Sequence, residues 1–162
     1  MKLTSEVEMA FREKMLWASA AATVVIWGWY FLGFVRALEA PSFNVGGEIG
    51  KFLFAVVALV VVQVVAAIAL AISSPADAQA PADDRDREFA LLAYRAAFVT
   101  LSVLIATLTV VAPMTMATAP AWLGGRPGSL APIVISNALL LSLVIAELVR
   151  SATQLFLYRR GS

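Results

Sequence analysis

The chain has 162 residues, of which 61% are hydrophobic and 14% are charged, and its mean hydropathy is +0.86. It contains neither cysteine nor histidine, which excludes disulfides, thiol redox chemistry, haem ligation by the usual groups and metal sites built on thiolates or imidazoles. We therefore expect no metal, no cofactor and no catalytic residue, so the protein is not expected to be an enzyme.

Four long apolar stretches separated by short polar segments make up most of the chain. They cover about residues 15–35, 52–72, 96–117 and 130–149, with a polar linker at 73–87. Each is close to the ~20 residues that a helix needs to cross ~30 Å of hydrocarbon. The pattern predicts an all-α integral membrane protein, a four-helix transmembrane bundle in which residues 1–162 form one domain. A cleaved signal peptide is the alternative for the first stretch, but this stretch is longer than the usual apolar core of such a peptide.

Positive charges are distributed unequally between the two predicted sides of the membrane. Three follow the first and third stretches: Arg36, Lys51 and Arg126. The other nine lie at the termini and in the middle linker: Lys2, Arg12, Lys14, Arg85, Arg87, Arg95, Arg150, Arg159 and Arg160. Because Lys and Arg accumulate on the cytoplasmic side, this distribution predicts a multi-pass protein of the bacterial inner membrane with both termini in the cytoplasm.

Helix starts and chain-breaking residues mark the ends of these stretches. Thr4 or Ser5 can cap a short helix that runs into the first span. The segment 41–50 carries a proline and three glycines, which predict turns. Pro113 has no N–H to donate to the carbonyl of Thr109, so we expect a kink near the outer end of the third span.

The predicted spans contain polar side chains but no ionisable group at membrane depth. The deepest are Gln63, Thr107, Thr109, Asn137 and Ser142. Hydrogen bonds between helices account for such residues in most membrane proteins, at about 0.6 kcal/mol each. The alternative is a transporter or a ligand-binding bundle, in which Gln63, Asn137 and Ser142 would line a narrow cavity.

Charged residues concentrate where the third and fourth spans meet the predicted cytoplasm. The acidic and basic segment before the third span consists of Asp83, Asp84, Arg85, Asp86, Arg87 and Glu88, and Asp83 or Asp84 can cap the helix. On the fourth span one helical stripe is formed by Glu147, Arg150, Ser151, Gln154 and Tyr158. Charges at this boundary are costly unless they are paired. We expect ion pairs among Glu13, Arg95, Glu147 and Arg150, for example Glu147 with Arg95 or Glu13 with Arg150.

Several short motifs follow one another along the chain: Arg12-Glu13-Lys14 with Trp17, Asp83-Asp84-Arg85-Asp86 with Arg95, and Glu147-Leu148-Val149-Arg150 with Gln154 and Tyr158-Arg159-Arg160-Gly161. In order and spacing they resemble a widespread, poorly characterised bacterial family of small four-span inner-membrane proteins. The family pattern is E-K-x-x-W, then D-E-R-D, then Y-R-R-G. The chain departs from it at Asp84, where the family has Glu, and at Tyr94, where an acidic residue is expected. Members are often encoded beside small helix-turn-helix regulators, so the resemblance implies a role as membrane partner of such a regulator.

Together these observations predict a regulatory or scaffolding protein that contacts a soluble cytoplasmic protein. The predicted contact residues are Asp83, Asp84, Arg85, Asp86, Arg87, Glu88, Arg150, Arg159 and Arg160. The alternatives are the transporter or ligand-binding bundle and an accessory subunit of a larger membrane complex, and a homo-oligomer stays open. Direct nucleic-acid binding is not expected, because the cytoplasmic side carries as many acidic residues as basic ones.

Overall fold

The computed structural model describes residues 3–73, 75, 83–123 and 130–161, and these residues form helices joined by short turns. In chain order the helices are α1 (Leu3–Glu39), α2 (Val45–Ser73), α3 (Asp84–Ala117), α4 (Ala119–Trp122) and α5 (Leu130–Gly161). No strand occurs among the described residues. The all-helical class predicted from the composition is therefore confirmed.

Within the described ranges, four helices are long and apolar enough to cross a membrane, namely α1, α2, α3 and α5. At ~1.5 Å per residue, the 34 residues of α3 extend over about 50 Å, which is more than the ~30 Å of hydrocarbon they need to cross. The charged first turns of α3 can thus extend beyond the apolar core. By length and composition, these four helices are compatible with a multi-pass membrane protein.

Several helix boundaries differ from those that the apolar stretches suggest. The helix start expected at Thr4 or Ser5 is part of one continuous helix α1. Helix α3 continues past Pro113 to Ala117. Of the predicted linker 73–87, residues 74 and 76–82 lie outside the described residues, as do residues 124–129 with Arg126 of the second outer segment.

The glycines of segment 41–50 lie in the first turns of α2 rather than in a loop. Asn44 starts this helix, because its side-chain Oδ1 accepts the N–H of Gly47 at 3.0 Å and its carbonyl accepts the N–H of Glu48 at 3.1 Å. A Cβ on Gly47 would lie only 3.2 Å from Nδ2 of Asn44. The cap and the close approach that Gly47 permits explain why the helix begins seven residues before the apolar stretch.

The contacts of the chain group into two compact units, and each is described by itself. The terminal unit comprises Met1–Phe89 and Gln154–Ser162, and the central unit comprises Ala90–Thr153. Helices α3 and α5 each contribute to both units.

In the terminal unit, α1 and α2 pack in antiparallel orientation through an aromatic face of α1. The buried residues of this face recur at helical spacing: Thr23, Trp27, Tyr30 and Phe34. Phe52 of α2 contacts Trp27 and Tyr30, with ring centroids 6.2 and 6.1 Å apart. Aromatic pairs at these distances add stability beyond their buried area, so this face fixes the α1–α2 pair.

In the central unit, the end of α3 is closed by polar groups that satisfy its last carbonyls. The carbonyl of Met114 accepts both the N–H and the hydroxyl of Thr118, at 3.0 and 2.9 Å. The indole N–H of Trp122, from α4, donates to the carbonyl of Thr115 at 3.2 Å. Unpaired carbonyls are costly in hydrocarbon, and these bonds remove that cost where the helix ends.

Candidate functional site

Three aspartates lie at the capped start of α3, namely Asp83, Asp84 and Asp86. Oδ1 of Asp83 accepts the N–H of Asp84 at 2.7 Å, and its carbonyl accepts the N–H of Arg87 at 3.1 Å. Asp83, one of the two caps expected from the sequence, therefore lies at the helix start. Negative charge at this end is favoured by the helix dipole. The capped turn places Asp86 inward, where it is only 9% exposed.

Asp86 connects three parts of the terminal unit. Its Oδ2 pairs with Nη1 of Arg12 from α1 at 2.8 Å, and its Oδ1 accepts the hydroxyl of Tyr158 from α5 at 2.9 Å. Tyr158 is 4% exposed, and its hydroxyl accepts a weak bond from the amide of Gln154 at 3.5 Å. The ring of Phe89, one turn after Asp86, packs edge-on against the ring of Tyr158 at 5.6 Å. We call Arg12, Asp86 and Tyr158 the Asp86 network.

Every charged or polar group in the Asp86 network has a bonding partner, and this pairing determines whether the buried network stabilises the fold. A buried carboxylate without partners is strongly disfavoured, and loss of one partner of a buried pair commonly costs about 3–5 kcal/mol. Both oxygens of Asp86 are bonded, one to a cation and one to a hydroxyl. A fully paired polar network favours one arrangement of the helices that contribute to it. The network thus fixes the ends of α1 and α5 on the start of α3.

A second set of contacts in the terminal unit is exposed and weaker. Arg159 lies 3.9 Å from a carboxylate oxygen of Glu13, and its guanidinium lies 5.4 Å from the ring centre of Trp17. The side chain of Arg159 is 68% exposed. Exposed pairs of this kind contribute at most about 1 kcal/mol, so their charges remain accessible to other groups.

The remaining charges at this end of the terminal unit point outward. Asp84 and Arg87 are 99% and 68% exposed and lie 3.8 Å apart, and Glu88 is exposed as well. On α5, Arg160 is exposed beside the ring of Phe156, 4.7 Å from its centre. Arg85 is half-buried over the ring of Phe89 at 5.2 Å. The exposed residues Asp83, Asp84, Arg87 and Glu88, which we call the acidic segment, are therefore neighbours of Asp86 in the chain, and Arg159 and Arg160, the basic segment, directly follow Tyr158.

Of the boundary residues chosen from the sequence, Glu13, Glu147 and Arg150 form ion pairs, but not in the combinations given as examples. Glu13 pairs with Arg159. Within the central unit, Glu147 accepts two hydrogen bonds from Arg150 on the same helix, one of them at 2.9 Å. The guanidinium of Arg150 also lies 5.5 Å from the ring centre of Tyr94, and Arg95 is exposed.

The polar side chains within the spans form hydrogen bonds in the described chain. Gln63 donates to the hydroxyl of Ser19 on α1 at 3.3 Å. The hydroxyls of Thr107 and Ser142 and the amide of Asn137 each donate to the carbonyl four residues earlier on their own helix. Ser142 is buried, whereas Thr107 is exposed.

Sequence reasoning did not identify Arg12 and Tyr158 as the partners of Asp86. Both occur in the motifs quoted above, and Tyr158 lies on the polar stripe of α5, which was the available signal. The pairing joins residues 72 positions apart, and local spacing cannot predict it. Asp86, one of the partner-contact residues predicted from the sequence, is buried within this network.

The described part of the chain is thus all-helical, with four helices that could cross a membrane and a charged end built around a buried carboxylate. Within the described ranges, no group of three or more carboxylates could hold a metal ion. Comparison of the chain with protein-family models, curated proteins and solved structures finds no match.

Proposed function

We propose that the protein is a non-enzymatic inner-membrane protein whose charged end binds a soluble cytoplasmic protein, in a regulatory or scaffolding role. The observation that supports this proposal is the pair of exposed charged segments around the Asp86 network. The docking surface consists of Asp83, Asp84, Arg87 and Glu88 on one side and Arg159 and Arg160 on the other. Complementary charges of this kind provide specificity and orient a partner.

The docking surface is narrower than the set chosen from the sequence. Arg85 is left out because it is half-buried over the ring of Phe89. Asp86 is excluded because it is buried with both oxygens bonded. Arg150 belongs to the central unit and is paired with Glu147. The surface therefore has an acidic segment and a basic segment close to each other, which fits a partner with a basic patch and an acidic patch.

The location of this surface in the cytoplasm is supported by the distribution of positive charge. Nine Lys and Arg residues lie on the side of the termini and middle linker, and three lie on the other side. With both termini in the cytoplasm of a bacterium, the docking surface would face soluble proteins. The family resemblance suggests a small helix-turn-helix regulator as the partner.

The transporter or ligand-binding alternative has less support from the side chains that it would need. Gln63 bonds to Ser19, and Asn137 and Ser142 bond to their own helix. Groups that already have partners offer fewer bonds to a ligand. An accessory subunit of a larger complex would instead co-purify with other membrane proteins at fixed stoichiometry.

Photo-crosslinking in the native membrane tests the docking proposal. A photoreactive amino acid replaces Arg87 in one variant and Arg160 in another, and captured proteins are identified by mass spectrometry. A matched control carries the same group at Val103, a 59% exposed position in the apolar part of α3. We expect both charged positions, but not Val103, to capture the same soluble protein.

Charge reversal then checks that the capture depends on the surface. Asp84→Lys with Glu88→Lys should abolish the capture, and Asp84→Glu should preserve it, since only the first change reverses the acidic segment. Capture that survives the double reversal, or that occurs equally from Val103, would show that this surface does not bind the partner.

A further inference from the structure

The Asp86 network connects the two segments that form the docking surface. Asp86 lies on α3 between Asp84 and Glu88, and Tyr158 lies on α5 directly before Arg159 and Arg160. The buried bond between Asp86 and Tyr158 therefore joins the acidic segment to the basic one.

Helix geometry explains how a buried pair controls the direction of exposed neighbours. Successive residues on an α-helix are rotated by about 100°, so residues two positions away lie about 200° from the buried one. Asp84 and Glu88 thus point away from Asp86, and Arg160 points away from Tyr158. If Asp86 and Tyr158 face each other, the rotation of both helix ends is set, and with it the direction of the exposed charges.

We propose that the Asp86 network is a latch that regulates the docking surface: while it is closed, the acidic end of α3 and the basic end of α5 are held in the one arrangement that a partner recognises. Tyr158 and Arg12 are positioning residues that act through Asp86. This inference rests on the proposed docking function.

The latch depends on a single hydroxyl at the bond between α3 and α5. Tyr158→Phe removes the donor but keeps the ring that packs on Phe89. Oδ1 of Asp86 is then buried without its hydrogen-bond donor. This favours separation of the helix ends, because water can then reach the oxygen. The aromatic contact alone has no comparable directional requirement.

Distance measurements test the latch without reference to a partner. Because the chain has no cysteine, nitroxide labels can be placed uniquely at Glu88→Cys and Arg160→Cys in liposomes and their separation measured by pulsed EPR. The control is Tyr94→Phe, the same substitution at a 59% exposed tyrosine. We expect a narrow distance distribution in the parent and in the control, and a broad one in Tyr158→Phe.

Crosslinking from Arg87 supplies the functional readout in unlabelled protein. Capture of the partner should fall at least about tenfold in Tyr158→Phe, the factor that corresponds to a lost hydrogen bond to a charged group. In Tyr158→Phe the carboxylate of Asp86 keeps Arg12 as its cation, but its Oδ1 has lost its donor. Asp86→Asn in the same chain removes this carboxylate, and with it the cost of burying an ionised oxygen without a donor, so the double variant is the second test if the single variant does not fold. Capture should stay low in the double variant, which a purely structural role would not predict.

The two readouts separate failure of the latch from failure of the docking function. If Tyr158→Phe and Tyr94→Phe give the same distance distribution and the same capture, the latch is wrong and docking stands. If the parent captures no soluble protein, the docking function is wrong, and the distance distributions still decide whether the network holds the two helix ends.

Discussion

The hydroxyl of Tyr158 donates a hydrogen bond of 2.9 Å to Asp86, a residue 72 positions earlier in the chain. The bond joins the last turns of α5 to the first turn of α3, and Arg12 brings the start of α1 to the same carboxylate. The predicted spans leave both ends of the chain at one face, and Arg12 near one end and Tyr158 near the other both bond to Asp86.

Removal of the Tyr158 hydroxyl should lower the stability of the protein. In Tyr158→Phe the carboxylate of Asp86 loses a buried donor, and we expect the free energy of unfolding to fall by about 1–3 kcal/mol. Thermal unfolding in detergent, followed by circular dichroism, measures the change. The matched substitution Tyr94→Phe, at an exposed ring, should shift the midpoint by much less, and equal shifts would contradict the role assigned to the bond.

The buried and the exposed ion pairs of the terminal unit should differ in how much they contribute to the free energy of unfolding. Arg12→Gln leaves the buried charge of Asp86 without its cation, and a cost of about 3–5 kcal/mol is expected. Arg159→Gln removes exposed contacts, the pair with Glu13 and the cation over Trp17, and we expect a smaller cost of about 1 kcal/mol. Chemical denaturation of both variants under the same conditions compares them.

A double-mutant cycle identifies the source of that difference. If the cost in Arg12→Gln arises from the unpaired carboxylate, then Asp86→Asn in the same chain should recover part of it. Additive effects of the two substitutions would mean that Arg12 stabilises the protein through other contacts.

The sequence was sufficient for the helical class and the number of apolar spans, because hydropathy over ~20 residues depends on the bilayer and not on tertiary contacts. It was insufficient at the start of α2. There the glycines suggested turns, but the side chain of Asn44 caps the helix and Gly47 permits its close approach. Local capping chemistry overrode the composition of the segment.

The partners of charged residues were harder to predict than their presence at the boundary. Glu147 pairs with Arg150, three residues away on the same helix, because side chains one turn apart on a helix already lie close to each other. Asp86 instead pairs with residues from two other helices. Nothing in the spacing around Asp86 distinguishes it from the exposed Asp84, so its burial could be found only in three dimensions.

Loss of the Asn44 cap should destabilise the start of α2. Asn44→Ala removes the acceptor for the N–H of Gly47, and a cost of about 0.5–2 kcal/mol is expected. Asn44→Asp keeps the acceptor and should retain most of the stability. Hydrogen exchange of the amide of Gly47 reports directly on the cap, and unchanged protection in Asn44→Ala would contradict its assignment.

The orientation on which the docking proposal depends can be measured by cysteine accessibility, because the chain has no cysteine that would add background labelling. Arg87→Cys and Ser42→Cys place single thiols at exposed positions beside opposite ends of the spans. If the termini are cytoplasmic, a membrane-impermeant maleimide added to spheroplasts should label Ser42→Cys at once. Arg87→Cys should be labelled only after the membrane is permeabilised, since its position lies on the side with nine of the twelve positive charges. The reverse pattern would place the charged surface outside the cell, where no cytoplasmic protein could reach it, and the docking proposal would then be wrong even with the Asp86 network intact.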